Sequence, residues 1–236
     1  MVAARMIRFG RKETQNYDSE YSITNQKFVV VDTELTGLDE HKDSIVSIGA
    51  VKMDGRKILL GNAFHRLVKP KSCLTSESVV IHGITPSEVE KKPSIECVIR
   101  EFLDFCGMDI IVGHFVSIDM AFINKEVRRV LGSVLRNPVL DTSLIYEHLK
   151  KKYQRHECFL SYAGDTELFE LAKRFGIPFT GAHDALVDAF VTAQLFQRFI
   201  PLLIGAGIRR IGDLLSFGNP FSGEVRYRLS GEIVNF

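Results

Sequence analysis

The chain has 236 residues, 45% of them hydrophobic and 25% charged, enough for one large domain or two small ones. A net charge of +1 and a pI near 7.7 exclude a global field that recruits nucleic acid, so any basic footprint is local. Four cysteines without a Cys-x-x-Cys pair, the lack of an apolar run long enough to span a bilayer, and a first 26 residues without an apolar leader core give the expectation of a reduced, cytoplasmic protein without a membrane partner.

In chain order, residues 1–26 are polar and irregular and are expected to form an N-terminal arm. Residues 28–31 form a short β-branched apolar run, the pattern of a strand buried on both faces of a sheet. It ends in Asp32 and Glu34, which share one face because their spacing is i, i+2. Two unpaired carboxylates at the end of a buried strand repel and lose hydration, and a divalent cation relieves both penalties. The alternative is a solvated turn continuing into Thr36-Gly37. A loop over 35–43 precedes a second strand over 45–53. Asp54-Gly55 then signals a hairpin into an antiparallel third strand over 57–68. Residues 71–93 read as loop with one helical piece over 76–80, followed by His82-Gly83-Ile84-Thr85. Thr85-Pro86-Ser87-Glu88 is a helix start. A helix from 94 to about 106, a strand over 109–113, a helix from 117 to about 135 and a strand at 139–140 follow. Asp141 reads as the N-cap of the next helix. A basic, irregular connection over 150–164, a helix over 167–175 closed by Gly176, and a long helix over 184–200 stopped by Pro201 complete the pattern. Residues 27–200 form the main domain, and 201–236 are a glycine-punctuated C-terminal extension. A strand meander followed by alternating helices and strands indicates an α/β fold with a mixed sheet flanked by helices.

Two further carboxylates fall on apolar helical stripes. Asp119 shares a face with Ile123, Val127, Val130 and Leu131, and Asp188 shares one with Val191, Leu195 and Phe199. Either alone is accounted for by a basic partner or a helix end emerging into solvent. Together with Asp32 and Glu34, and with no basic residue on the same stripes, they point to one or two Mg²⁺ or Mn²⁺ ions. His183 lies five residues before Asp188 at the mouth of that helix; it is either a helix-entry histidine bonding backbone or, as its place beside the carboxylates favours, a group that accepts a proton from a metal-bound water. The other histidines, His82 apart, are expected to be surface or structural. Lys150, Lys151, Lys152, Arg155 and Tyr153 are either a phosphate contact or a solvated loop.

With these residues in place, the chain resembles the DEDDh family of 3′→5′ exonucleases, which includes the proofreading subunit of bacterial DNA polymerase III. The motifs are Asp32-Thr33-Glu34 followed by Thr36-Gly37, His114 through Asp119, and His183 through Asp188. The resemblance implies a ribonuclease H-like fold with a mixed five-stranded sheet. It implies two metal ions held by Asp32, Glu34, Asp119 and Asp188, with His183 as general base. The implied substrate is a single-stranded DNA or RNA 3′ end cut to nucleoside 5′-monophosphates, and a DNA polymerase is an implied partner. The resemblance also implies that, in the His82–Thr85 turn, Ile84 meets the terminal base and Thr85 or a backbone N–H near Gly83 bonds the 3′-hydroxyl; otherwise Ile84 is a satellite core contact. Phe115 stands where the family usually has Asn at a substrate-contacting position, and Ile118 replaces a usual Phe. RNA processing, oligoribonucleotide clearance, and a non-catalytic nucleic-acid or polymerase-binding module are the competing readings. Oligomeric state is not fixed by any sequence feature.

Overall fold

A computed structural model describes residues 19–153, 159, 166–181, 183–222, 228–229 and 232–233. Five strands form one mixed sheet in the order β3-β2-β1-β4-β5. These are β1 (Lys27–Leu35), β2 (Ile45–Asp54), β3 (Lys57–Leu67), β4 (Ile110–Gly113) and β5 (Val139–Asp141). The β1–β2 and β2–β3 pairs are antiparallel, while β1–β4 and β4–β5 are parallel. The meander and the Asp54-Gly55 hairpin are as expected, with Gly55 at φ 53° in the left-handed region.

Side chains alternate across β1 and split the core in two. Phe28 and Val30 pack with α5 (Thr142–Lys152), α6 (Leu168–Arg174), α7 (Ala185–Gly205) and α8 (Ile211–Gly218). Val29 and Val31 pack on the other face with α3 (Ile95–Cys106) and α4 (Ser117–Leu131). Two short helices, α1 (Ser76–His82) and α2 (Pro86–Val89), occupy the connection after β3. A separate antiparallel pair is formed by β6 (Arg228–Leu229) and β7 (Glu232–Ile233).

Several boundaries differ from the sequence expectation. β1 continues to Leu35, so Asp32 and Glu34 sit within the strand and not past its end. Pairing with β2 carries it on, Asp32 opposite Gly49 and Glu34 opposite Ser47. α7 does not stop at Pro201 but runs through it to Gly205. An interior proline removes one helical hydrogen bond. The following turn is held all the same, because Leu203 is fully buried and the Leu202 carbonyl accepts from the Tyr153 hydroxyl at 2.8 Å. By length and composition alone this 21-residue helix would pass as a membrane span, against the expectation of no such run. Its contacts with β1, β2 and β3 and its burial make it the central core helix. The basic 150–164 stretch begins as the last turn of α5, and Arg155, His156 and Cys158 lie outside the described residues.

Residues 19–23 meet residues 209–212. Ile23, in a 3₁₀ turn over Ile23–Asn25, is fully buried, and its N–H donates to the Arg209 carbonyl at 3.0 Å. The Ile211 N–H donates to the Tyr21 carbonyl at 2.9 Å. Ile211 and Leu214 of α8 are fully buried beside β5 and α5.

Candidate active site

The site is built on the second half of β1, where three elements, β1, α4 and α7, bring acidic groups together. Asp32 and Glu34 project from β1 toward α7, and the first turn of α7 supplies Asp188. One ligand oxygen from each of these three lies within 4.8 Å of the others. The approach depends on Gly49, the β2 residue paired with Asp32. A Cβ there would lie 2.2–2.3 Å from backbone atoms of Ala185 and Leu186. Only glycine lets the start of α7 settle this closely on the sheet.

Asp119 approaches from the opposite face of β1. It is buried in the first turn of α4, and its Oδ1 accepts from the Thr33 hydroxyl at 2.6 Å. Thr33 and Asp32 point to opposite faces of the strand, which is why Asp119 lies beside the three-oxygen group and not within it. Asp184, the N-cap of α7, accepts from the Leu186 and Val187 N–H groups at 3.0 and 3.1 Å. Its charge reaches the cluster as well.

The electrostatics follow from this crowding. Burial, then the charges of Asp119, Glu34, Asp188 and Asp184, push the Asp32 carboxyl well above the usual carboxylate range. Glu34 is pushed up to about 8 by burial and then by Asp188, Asp119 and Asp184. Burial raises Asp119 to about 7 against the opposing Thr33 hydrogen bond. Asp188 also rises to about 7 through burial, against the His183 N–H that donates to its Oδ2 at 3.3 Å. Among the described residues no ion pair reaches these four carboxylates. Asp188 Oδ1 is buried without a hydrogen-bond partner. Hard oxygen donors converging at this distance, raised in pKa first by burial and then by neighbouring carboxylates, and including one orphaned oxygen, fit a divalent cation.

His183 is exposed and adopts φ 67°, with its ring edge-on to Phe169 at 5.7 Å. His82 closes α1 and is buried. Its Nδ1 accepts from the Ile84 N–H at 3.0 Å, and its Nε2 has no partner among the described residues. Burial and then the charge of His183 lower its pKa. Ile84 and Thr85 are half-buried in the following turn, where the Glu88 carboxylate accepts from both the Thr85 N–H and hydroxyl at 2.7 and 2.6 Å. Thr36 is buried. Its hydroxyl donates to Asp43 at 2.8 Å and accepts from the Ser44 N–H at 3.0 Å, so it is committed within the loop. The Lys125 ammonium fastens that loop to α4 through the Glu40 and Asp43 carbonyls, both at 2.7 Å.

The turn opening α4 is held from behind by Asp141, which is fully buried. Its carboxylate accepts from the Phe115 and Val116 N–H groups at 3.2 and 2.8 Å, and from the Ser143 N–H and hydroxyl at 2.8 and 2.6 Å. The N-cap expectation holds, and Asp141 braces a second element besides. His114 is structural, as expected. It is buried, with Nε2 2.6 Å from the Thr166 carbonyl and Nδ1 2.8 Å from the Thr142 hydroxyl.

A mixed sheet in this order, with carboxylates converging on its central strand, defines the ribonuclease H-like class of nuclease domains. Residues 29–196 match the sequence model of the family described as Exonuclease, and the chain belongs to that family. Relatives include DNA polymerase III subunit epsilon of Aquifex aeolicus, 34% identical over 73% of this chain and 80% of that protein. DNA polymerase III PolC-type of Thermotoga petrophila is 36% identical over 84% of this chain, which spans 14% of that much longer protein. Among solved structures, E. coli exonuclease I in complex with a dT13 oligonucleotide shares the fold at a TM-score of 0.68 and 18% identity, over 77% of this chain and 42% of that one. Exonuclease X in complex with 5′ overhanging duplex DNA matches at a TM-score of 0.56 and 25% identity, over 80% of this chain and 99% of that one.

Proposed function

We propose that the chain is a 3′→5′ exonuclease acting on single-stranded DNA ends and releasing nucleoside 5′-monophosphates, with a role in proofreading or repair. The observation that carries this reading is the oxygen cluster of Asp32, Glu34 and Asp188, held within 4.8 Å without a cationic partner among the described residues. Mg²⁺ or Mn²⁺, as two ions, is the assignment that suits these donors, with Asp119 supplying the fourth carboxylate. The ions would supply positive charge at the phosphoryl oxygens and make the attacking water more acidic.

The protein's own groups account for the rest. His183, exposed at the mouth of α7 and tied through its N–H to Asp188, takes the proton of the attacking water. Ile84 rests against the terminal base. Thr85 or a backbone N–H near Gly83 bonds the free 3′-hydroxyl, and that contact restricts cutting to the end. Relatives that are components of DNA polymerase III support DNA over RNA as substrate and association with a polymerase. They also support a cytoplasmic setting, in keeping with the free thiols of Cys73, Cys97 and Cys106. Time courses on a 5′-labelled strand should give a ladder shortening from the 3′ end, and a 3′-phosphate should block it. Cuts in a circular single strand as fast as in a linear one would overturn the end-specific assignment.

A further inference from the structure

Lys125 is half-buried, and its charge is directed at carbonyl groups. The ammonium donates to the Glu40 and Asp43 carbonyls, both at 2.7 Å, and lies 4.9 Å from the centroid of the Phe122 ring. Among the described residues it makes no ion pair.

The two segments it joins each lead back to site carboxylates. Lys125 stands on α4, ~9 Å along the helix axis from Asp119. The 36–43 loop leaves β1 directly after Glu34 and Leu35. That loop is a firm anchor because it is bonded to itself. The Thr36 N–H donates to the Ser44 carbonyl at 3.0 Å, the Asp43 N–H to the Asp39 carbonyl at 2.7 Å, and the Asp39 N–H to the Asp43 carboxylate at 3.0 Å. A Cβ on Gly37 would lie 2.4–2.9 Å from the same carboxylate, so the loop is packed tightly as well as bonded.

α4 is linked to β1 by the Thr33–Asp119 hydrogen bond at its first turn and by Lys125 nearly two turns later. Its Met120, Ile123 and Val127 also pack against Val29 and Val31 in one core cluster. Apolar burial is non-directional, so it sets how deeply the helix sits and not how it swings. A single directional tie at Asp119 leaves a pivot there, and the second tie fixes the axis.

We infer that Lys125 is a positioning residue of the nuclease site, a cross-brace that holds Asp119 in register with Asp32 and Glu34. This rests on the metal-dependent nuclease reading and adds to it what sets the place of the fourth carboxylate, which stands beside the three-oxygen group.

The test compares wild type with Lys125→Met, Lys125→Gln, Lys125→Arg and Arg129→Met. Calorimetric titration of Mn²⁺ gives metal affinity, and the rate on a single-stranded DNA against Mn²⁺ concentration gives the metal requirement and the kcat at saturating metal. Lys125→Met should weaken Mn²⁺ binding and raise the metal requirement by roughly 10- to 100-fold, the usual effect of losing a group that orients a metal ligand, with much of kcat recovered at saturating Mn²⁺. Lys125→Arg should restore most of the affinity. Lys125→Gln keeps a donor for one carbonyl and should fall between, and it carries the test if Lys125→Met does not fold. Arg129→Met removes ties from the same helix face to Glu96 and Glu126, so it should lower the thermal midpoint and leave Mn²⁺ affinity near that of wild type. Wild-type Mn²⁺ affinity in Lys125→Met and Lys125→Gln, or an equal loss in Arg129→Met, would overturn the positioning role while leaving the nuclease reading standing. A wild-type protein that neither binds Mn²⁺ nor cuts the strand would overturn both.

Discussion

Gly49→Ala tests how the site is assembled without touching a titratable group. The added methyl would lie 2.2 Å from the Ala185 carbonyl carbon and 2.3 Å from both the Ala185 oxygen and the Leu186 nitrogen, where ordinary contact starts at 3.4 Å. These are backbone atoms at the start of a 21-residue core helix, and no rotamer change can move them aside. The start of α7 must therefore lift by roughly 1 Å, carrying His183 and Asp188 with it. Overpacking of this kind costs about 1–3 kcal/mol. For a domain of this size that is a fall of roughly 2–12 °C in the thermal midpoint. A displacement of about 1 Å at the reacting groups costs on the order of 10²-fold in turnover. Thermal unfolding followed by circular dichroism, with steady-state kinetics on a single-stranded oligonucleotide, measures both effects. A variant with an unchanged midpoint and unchanged kcat would refute the claim that Gly49 sets the spacing between β1 and α7.

Two further predictions concern charge and the base. Glu34 is pushed up from 4.5 to about 8, so its burial stabilises the neutral form, and in the metal-free protein that stability is present below about pH 4.5 and lost as pH rises toward 8. In EDTA, Glu34→Gln should therefore gain on wild type in thermal midpoint steadily between pH 5 and pH 8 by differential scanning fluorimetry, and a constant difference across that window would contradict the shift. His183→Gly suits the φ of 67° and keeps the backbone N–H to Asp188, so it should fold normally and bind metal as wild type does while kcat falls roughly 10²–10⁴-fold. Near-normal kcat with lost metal affinity by titration calorimetry would show that His183 acts on the metal and not on the water.

Much of this architecture was legible because it rests on local periodicity. The β-branched run ending in Asp32 and Glu34, and the apolar stripes that include Asp119 and Asp188, each report a buried face within one element. Asp184 also carried a local signal, an Asp directly ahead of an apolar helical run, although its charge on the cluster depends on tertiary approach. What escaped the sequence depends on partners far along the chain. Gly49 looks like any strand glycine until α7 is laid over it 136 residues later. Asp141 presents itself as a helix cap, and its grip on the Phe115–Val116 turn needs β4 and β5 side by side. Pro201 reads as a helix stop because local propensity knows nothing of the core that holds Leu203. The pairing of residues 19–23 with 209–212 joins segments far apart along the chain and leaves no pattern in either one.

The central claim is that the carboxylates on β1 and α7 hold a divalent cation on which hydrolysis depends. The most direct measurement is degradation of a 5′-labelled single-stranded DNA with Mg²⁺, with Mg²⁺ plus excess EDTA, and by Asp188→Asn, alongside calorimetric titration of Mg²⁺ or Mn²⁺ into both proteins. Asp188→Asn should remain folded, lose most of the heat of metal binding and leave the DNA intact, and EDTA should stop the wild-type protein until Mg²⁺ is restored. Undiminished degradation in excess EDTA, or full activity in Asp188→Asn, would contradict it.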